Sequence, residues 1–104
     1  MAPEYCYVIS IKAAPSWLTL GRPERNKHWD SVRTICREFS EQVSFQYCDS
    51  DAFHGHMSDM IICHTTDPLS YHHLWDRVKD TTIFANGYYS ITDVRSGITG
   101  VSHG

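Results

Sequence analysis

The pattern of hydrophobic and polar positions predicts four strands in the 104-residue chain. Aromatic and β-branched residues dominate residues 5–12, and apolar positions alternate with polar ones over residues 42–48. Further strands are predicted over residues 57–65 and 87–94. A polar segment separates the second and third strands, which is typical of a surface loop.

Two helical segments connect these strands. Gly21 and Pro23 predict a helix start, and the apolar positions that follow at helical spacing are Trp29, Val32, Ile35, Cys36 and Phe39. Asp67 and Pro68 predict the start of a second helix, whose apolar stripe consists of Tyr71, Leu74, Trp75 and Val78. Residues 81–86 end this element and are expected to add one more turn.

The order βαββαβ predicts an α+β, ferredoxin-like domain with an antiparallel four-stranded sheet, formed by residues 1–104, with residues 96–104 as a loose tail. Met60 and Ile62 face one side of the third strand, and Ile61 faces the other. Two helices on one face should leave the other face polar, yet this sheet is apolar on both. We therefore predict a homodimer through the sheet faces, a dimeric α+β barrel.

Composition narrows the classes of partner. The net charge of −3 and the scattered nine Lys and Arg residues argue against a nucleic-acid partner. No apolar run approaches the ~20 residues that a bilayer span requires, and the N-terminus lacks the pattern of a secretory signal. A cytoplasmic protein is predicted. In that compartment the cysteines are expected to be small buried hydrophobes rather than disulfides, and these are Cys6, Cys36, Cys48 and Cys63.

Several short segments resemble the darcynin family, and the resemblance covers nearly the whole chain. The matching segments are Pro15-Ser16-Trp17-Leu18, Glu24-Arg25, Asp49-Ser50-Asp51-Ala52-Phe53, Ser58-Asp59, Tyr71 with Leu74, and Asp80-Thr81. The sequence departs from the family at His54, His56, His72 and His73. At the level of the fold, the plan is similar to dimeric α+β barrel enzymes such as olivetolic acid cyclase and the cofactor-independent antibiotic-biosynthesis monooxygenases. That likeness implies a pocket between sheet and helices for a polyketide-like molecule.

The aromatic residues are expected to line this pocket, namely Trp17, Trp29, Phe45, Tyr47 and Trp75. Arg25 and His28 share the apolar arc of the first helix, where a cation is unusual. Arg25 is predicted to anchor an anion or a carbonyl oxygen. The alternative is an arginine that reaches the rim or pairs with Asp59. His28 is a candidate for substrate binding or for packing.

Four residues are candidates for catalysis. Asp59 lies among apolar neighbours in a strand, so it is either paired or has a raised pKa suited to proton transfer. Tyr71 is expected to polarise a carbonyl while His72 or His64 moves a proton. Packing is the alternative for Tyr71, and His73 is expected to be a surface residue.

A cofactor and a metal are not predicted, because nucleotide-binding and metalloprotease motifs are absent. The open alternative is a zinc or copper site at His54 and His56, completed by His64 or Asp51.

The sequence thus favours a cofactor-free isomerase or cyclase that acts by acid-base chemistry on a small, apolar, carbonyl-bearing secondary metabolite of polyketide or terpenoid type. The alternatives are a cofactor-independent monooxygenase of the same substrates and a non-catalytic dimeric ligand-binding protein.

Overall fold

The computed structural model describes residues 3–50 and 58–99. Its elements in chain order are β1 (Glu4–Ala13), α1 (Pro15–Leu18), α2 (Arg22–Glu38), β2 (Val43–Asp49), β3 (Asp59–Thr65), α3 (Pro68–Lys79), α4 (Thr82–Ala85) and β4 (Tyr89–Thr99). The strands form an antiparallel sheet in the order β2-β3-β1-β4, so the predicted α+β, ferredoxin-like architecture is confirmed.

Local signals explain where the helices begin. Gly21 caps α2 and a proline occupies its first turn, where the missing N–H has no helical partner to lose. The side chain of Asp67 accepts a hydrogen bond of 3.1 Å from the Leu69 N–H, so Asp67 caps α3 as predicted. The segment between β1 and α2 contains the short helix α1, and the expected extra turn is α4.

The tail prediction is wrong for residues 96–99. β4 continues to Thr99, because its last residues pair with β1 as far as Glu4, the first residue of that strand. A bulge helps to fit this long strand to its neighbour. Ser10 pairs with Asp93 but Ile11 pairs with Ile91, which leaves one extra residue, Thr92, in β4.

The helices cover one face of the sheet. On that face lie the fully buried Ile9, Ile11 and Ile61, against Val32 of α2 and Leu74 of α3. On the other face, Val8 pairs with Ile62, and both side chains are half-buried within the single chain. The prediction of apolar positions on both faces of β1 and β3 is therefore confirmed, whereas packing of the second face against another subunit stays a prediction.

The four cysteines are free. Cys63 is buried on the helix-covered face, as the hydrophobic interpretation requires, and the other three are half-buried. Within residues 3–50 and 58–99, no helix is both long enough and apolar enough to cross a bilayer.

Candidate functional site

Polar side chains gather at one end of the sheet. Asp59 is the first residue of β3, Asp49 the last of β2, and Tyr89 the first of β4. Because the strands are antiparallel, the starts of β3 and β4 lie beside the ends of β1 and β2, and Asp49 pairs with Asp59 in the register. α1 and the first turns of α2 bring Trp17 and Arg25 over this end.

These residues line an open cavity of about 540 Å³, called the central cavity below. This volume lies in the range of small-molecule sites. Its described lining combines apolar and charged groups, among them Trp17, Arg22, Arg25, Asn26, Trp29, Tyr47, Asp49, Ser58, Asp59 and Tyr89. Trp17 contacts Tyr89 with ring centroids 5.2 Å apart, and Trp29 contacts the same tyrosine at 5.5 Å. The cavity therefore has an aromatic wall beside two carboxylates and two guanidinium groups.

Asp59 is the buried acid of the central cavity, with 4% of its surface exposed. Tyr89 Oη donates to Asp59 Oδ2 at 3.0 Å, and the hydroxyl of Tyr47 is also hydrogen-bonded to Asp59. Burial raises the pKa of Asp59, and this effect outweighs the hydrogen bonds that favour the carboxylate. The carboxyl group is therefore a stronger proton acceptor than an exposed aspartate once it is ionised.

The two tyrosines stay protonated beside this acid. Burial, together with the neighbouring Asp59, raises the pKa of Tyr47 and of Tyr89 well above the usual range for tyrosine. Both phenols therefore remain hydrogen-bond donors at neutral pH. They hold the Asp59 carboxyl group in one orientation.

Arg25 is incompletely paired. Its Nη2 donates to the Leu18 carbonyl oxygen at 3.1 Å, while its buried Nε has no hydrogen-bond partner in the described part of the chain. Among the described residues, no ion pair joins Arg25 to Asp59, so the paired alternative is not what the structure contains. A buried guanidinium N–H without a partner is rare in a folded protein. The Arg25 side chain lines the central cavity, where its guanidinium can donate to a ligand oxygen.

A second cavity of about 510 Å³, the side cavity, lies between α2 and β2. It is mainly apolar, with Arg33 and Arg37 as its charged members, and its other lining residues are Trp29, Val32, Cys36, Phe45 and Tyr47. Trp29 and Tyr47 line both cavities and pack edge to face, with ring centroids 5.3 Å apart. These two rings therefore form the boundary between the central cavity and the side cavity.

The predicted pocket residues divide between two places. The structure brings Trp17, Arg25, Trp29, Tyr47 and Asp59 together at the central cavity, and Phe45 lines the side cavity. It places Tyr71, His72 and Trp75 together elsewhere, around a cavity of about 130 Å³ under α3. There Tyr71 stacks on Tyr7, with centroids 3.6 Å apart, and His72 is exposed and lies 3.4 Å from Asp76.

The other histidines that the structure describes, His28, His64 and His73, are also outside the lining of the central cavity. His28 Nδ1 lies 2.6 Å from Thr82 Oγ1, and its ring packs against Trp17. His64 Nδ1 lies 3.1 Å from Glu4 Oε1 on the uncovered face of the sheet, so the structure does not bring His64 together with Tyr71 and His72. His73 is exposed, as expected.

The alternative metal site at His54 and His56, with Asp51, falls outside the described residues. Among the residues that the structure describes, no cluster of three or more His, Cys, Asp and Glu side chains is arranged to hold a metal ion.

Tyr89 is the main site residue that the sequence did not identify. A buried carboxylate in a strand requires a hydrogen-bond donor. The available signal was a tyrosine at the start of another strand, at the same end of the sheet as Asp59. Ser58 was named only as part of a motif, but its hydroxyl accepts a 2.7 Å hydrogen bond from the Ala13 N–H and so ties β3 to β1 beside Asp59.

Solved structures share this fold at low sequence identity. Chlorite dismutase from Candidatus Nitrospira defluvii, in complex with imidazole, superposes with a TM-score of 0.84 and 11% identity over 95% of this chain. A heme-binding protein from Thermus thermophilus superposes with a TM-score of 0.82 and 12% identity over 93% of this chain. This chain spans 41% and 40% of those two chains, respectively.

No curated protein matches the sequence. A family model described as Darcynin, a domain of unknown function, matches residues 1–102.

Proposed function

This chain belongs to the darcynin family, and we propose that it is a cofactor-free enzyme that moves protons on a small carbonyl-bearing substrate in the central cavity. The observation that carries the proposal is the buried Asp59, held by Tyr47 and Tyr89, in the lining of the same cavity as an incompletely paired Arg25. A base and an oxyanion donor on one cavity are the two groups that enolisation of a ketone requires.

The reaction begins with the ionised Asp59 as base. It removes a proton from the carbon next to the carbonyl group. The electron pair of that C–H bond forms a carbon–carbon double bond, and the carbonyl π electrons move to oxygen. The Arg25 guanidinium stabilises the resulting oxyanion. In a substrate with a carbon–carbon double bond next to the deprotonated carbon, return of the proton from Asp59 to the far end of the resulting dienolate completes an isomerisation. Alternatively, the enolate carbon attacks a second carbonyl of the same molecule, whose π electrons move to oxygen, and the proton on Asp59 passes to this new alkoxide, which gives a cyclisation.

The likeness to a heme-binding protein raises the question whether this chain holds a heme. Heme iron requires an axial ligand such as histidine, thiolate or tyrosinate. No described histidine lines the central or the side cavity. Burial raises the pKa of the Cys36 thiol to about 11, and Tyr47 and Tyr89 are held protonated beside Asp59. The lining of these two cavities does not fit a heme, and the proposed steps use side chains alone.

Hydrogen–deuterium exchange of phenylacetone tests the proposal. Proton NMR in D2O follows loss of the benzylic protons, and we expect the wild-type protein to accelerate this loss over buffer. Asp59→Asn should lower the catalysed rate by about 10²-fold or more, as expected for loss of a general base. Asp80→Asn is the matched control, since Asp80 is an exposed acid at the end of α3. Equal exchange in wild-type and Asp59→Asn protein would refute the assignment.

Two alternatives differ from this reaction in measurable ways. A cofactor-independent monooxygenase would form the same carbanion but would consume oxygen, which an oxygen electrode detects. A non-catalytic ligand-binding protein would bind phenylacetone without accelerating exchange. The incomplete pairing of Arg25, in contrast to a closed Arg25–Asp59 pair, supports the catalytic alternative.

We also infer that the uncovered face of the sheet packs against the same face of a second copy. Support comes from the half-buried apolar residues at the centre of this face, Val8, Met60 and Ile62. A sheet face that is exposed to water usually carries polar residues at such positions. Light scattering coupled to size exclusion should give twice the chain mass, and Ile62→Lys should give the single-chain mass. A single-chain mass for the wild-type protein at micromolar concentration would contradict the inference.

A further inference from the structure

The side cavity has a chemistry that the proton-transfer step does not use. Trp29 and Tyr47 separate the side cavity from Asp59. The walls of the side cavity include the apolar groups of Val32, Phe45 and the half-buried Cys36. A phenylacetone-sized substrate requires only the central cavity. A second cavity of about 510 Å³ that shares two lining rings with the first provides room for a longer molecule.

The charges at the side cavity indicate which groups this molecule carries. Both charged lining residues are arginines, Arg33 and Arg37, and both are exposed. Arg33 pairs with Asp30 at 2.6 Å. Arg37 donates only to Thr34 Oγ1, at 3.2 Å, among the contacts of the described residues. Arg37 therefore has N–H groups available for an anion, and a guanidinium binds a carboxylate well.

We propose that the side cavity binds the apolar chain of an elongated organic carboxylate, with the carboxylate at Arg37. Resting on the function proposed above, the other end of this substrate carries the carbonyl group and lies in the central cavity beside Asp59 and Arg25. Trp29 and Tyr47 contact the chain where it passes from one cavity to the other. The substrate class is therefore a long-chain or aryl-extended oxo acid rather than a compact ketone.

Binding of decanoate, measured by isothermal titration calorimetry, tests this assignment, with methyl decanoate as the uncharged probe. Cys36→Trp fills the side cavity and should weaken decanoate binding by about tenfold or more. Arg37→Gln should weaken decanoate binding by about five- to tenfold and leave methyl decanoate within about twofold. Arg95→Gln is the matched control, because Arg95 is an exposed arginine on β4.

Arg37→Gln keeps the test decisive if Cys36→Trp does not fold, since Arg37 lies on the surface. Decanoate affinity that neither variant changes, or equal loss of acid and ester binding in Arg37→Gln, would overturn the proposal. The phenylacetone assay tests the proton-transfer reaction independently of ligand binding in the side cavity. Absence of exchange in the wild-type protein would refute the reaction alone, whereas an unchanged decanoate affinity in the variants would refute the side cavity alone.

Discussion

The two halves of the helix-covered face are built from similar residues and differ in how completely they pack. Under α3, Leu74 and Val78 are fully buried, Tyr71 stacks on Tyr7, and the remaining cavity measures about 130 Å³. Under α2, aromatic rings are just as frequent, yet two cavities of about 510 and 540 Å³ remain. The half under α2 also holds the buried Asp59. Aromatic content therefore does not distinguish a core from a site, but a buried carboxylate beside empty space does.

The largest effect on stability is expected in the tightly packed half under α3. Leu74→Ala removes a side chain with no exposed surface and should lower the free energy of unfolding by about 2–5 kcal/mol, measured by urea denaturation. Cys36→Ala at the side cavity should cost about 1 kcal/mol or less, because less apolar contact is lost. Equal losses in the two variants would show that the half under α2 is as tightly packed as the half under α3.

A pair of tyrosine variants tests which half carries the chemistry. Tyr89→Phe removes a hydrogen bond to the Asp59 carboxylate and should slow phenylacetone exchange by about tenfold. That hydrogen bond lowers the pKa of Asp59, so its loss should raise this pKa further. The exchange rate should then increase with pH over a higher pH range than in the wild-type protein. Tyr71→Phe should change the rate by less than about twofold. A tenfold loss in Tyr71→Phe would instead locate the reaction under α3, with His72 as its neighbour.

The pH dependence of stability gives a smaller effect that is specific to the half under α2. Asp59 has a raised pKa in the folded protein, so the folded state holds more protons than the unfolded state between the ordinary aspartate value and that raised pKa. Its stabilising contribution is complete at low pH and is lost as the pH rises through the raised pKa. Asp59→Asn should therefore be more stable than the wild type at pH 7, with the difference vanishing in acid. Urea midpoints of both proteins from pH 3 to pH 8 measure this; a difference that grows toward acid would contradict the assigned shift.

The smallest effect concerns the ion pair that links the two halves. Glu38 of α2 pairs with Arg77 of α3 on the surface, and the pair lowers the pKa of Glu38. Its contribution is present above the ordinary glutamate pKa and is lost as the pH falls through the lowered value. Glu38→Gln should shift the urea midpoint only slightly at neutral pH, and added salt should abolish the shift. A shift as large as that of Leu74→Ala would mean that the two halves depend on this link.

Local signals in the sequence predicted most of the fold. The N-caps of α2 and α3 depend on residues next to each other in sequence, and alternation within β3 correctly assigned Asp59 to the buried face. The pairing of Asp59 with Tyr89 was not accessible in this way. Tyr89 and Val94 both lie on the helix-covered side only because Thr92 is an extra residue in β4. Strict alternation would have put these two residues on opposite faces.

The same limit applies to the histidines. His72 and Tyr71 are neighbours in sequence, and their spacing suggested a catalytic pair, but α3 turns His72 outward to Asp76. His64 is on the face opposite Tyr71, since alternation in β3 separates it from Cys63. The composition showed that the chain has many titratable side chains. The register of the sheet determines which of them line the central cavity.

The hydrogen bond between Tyr89 and Asp59 has a consequence for how the protein is made. It joins β4 to β3 across β1, so it requires the first and the last strands to be in place together. Such a long-range pairing carries the entropic cost of closing the loop between the two residues. A nascent chain that has not yet released β4 from the ribosome, or a fragment without it, therefore lacks the arrangement of Asp59. Ligand binding in the central cavity would consequently report that β4 has taken its place in the sheet.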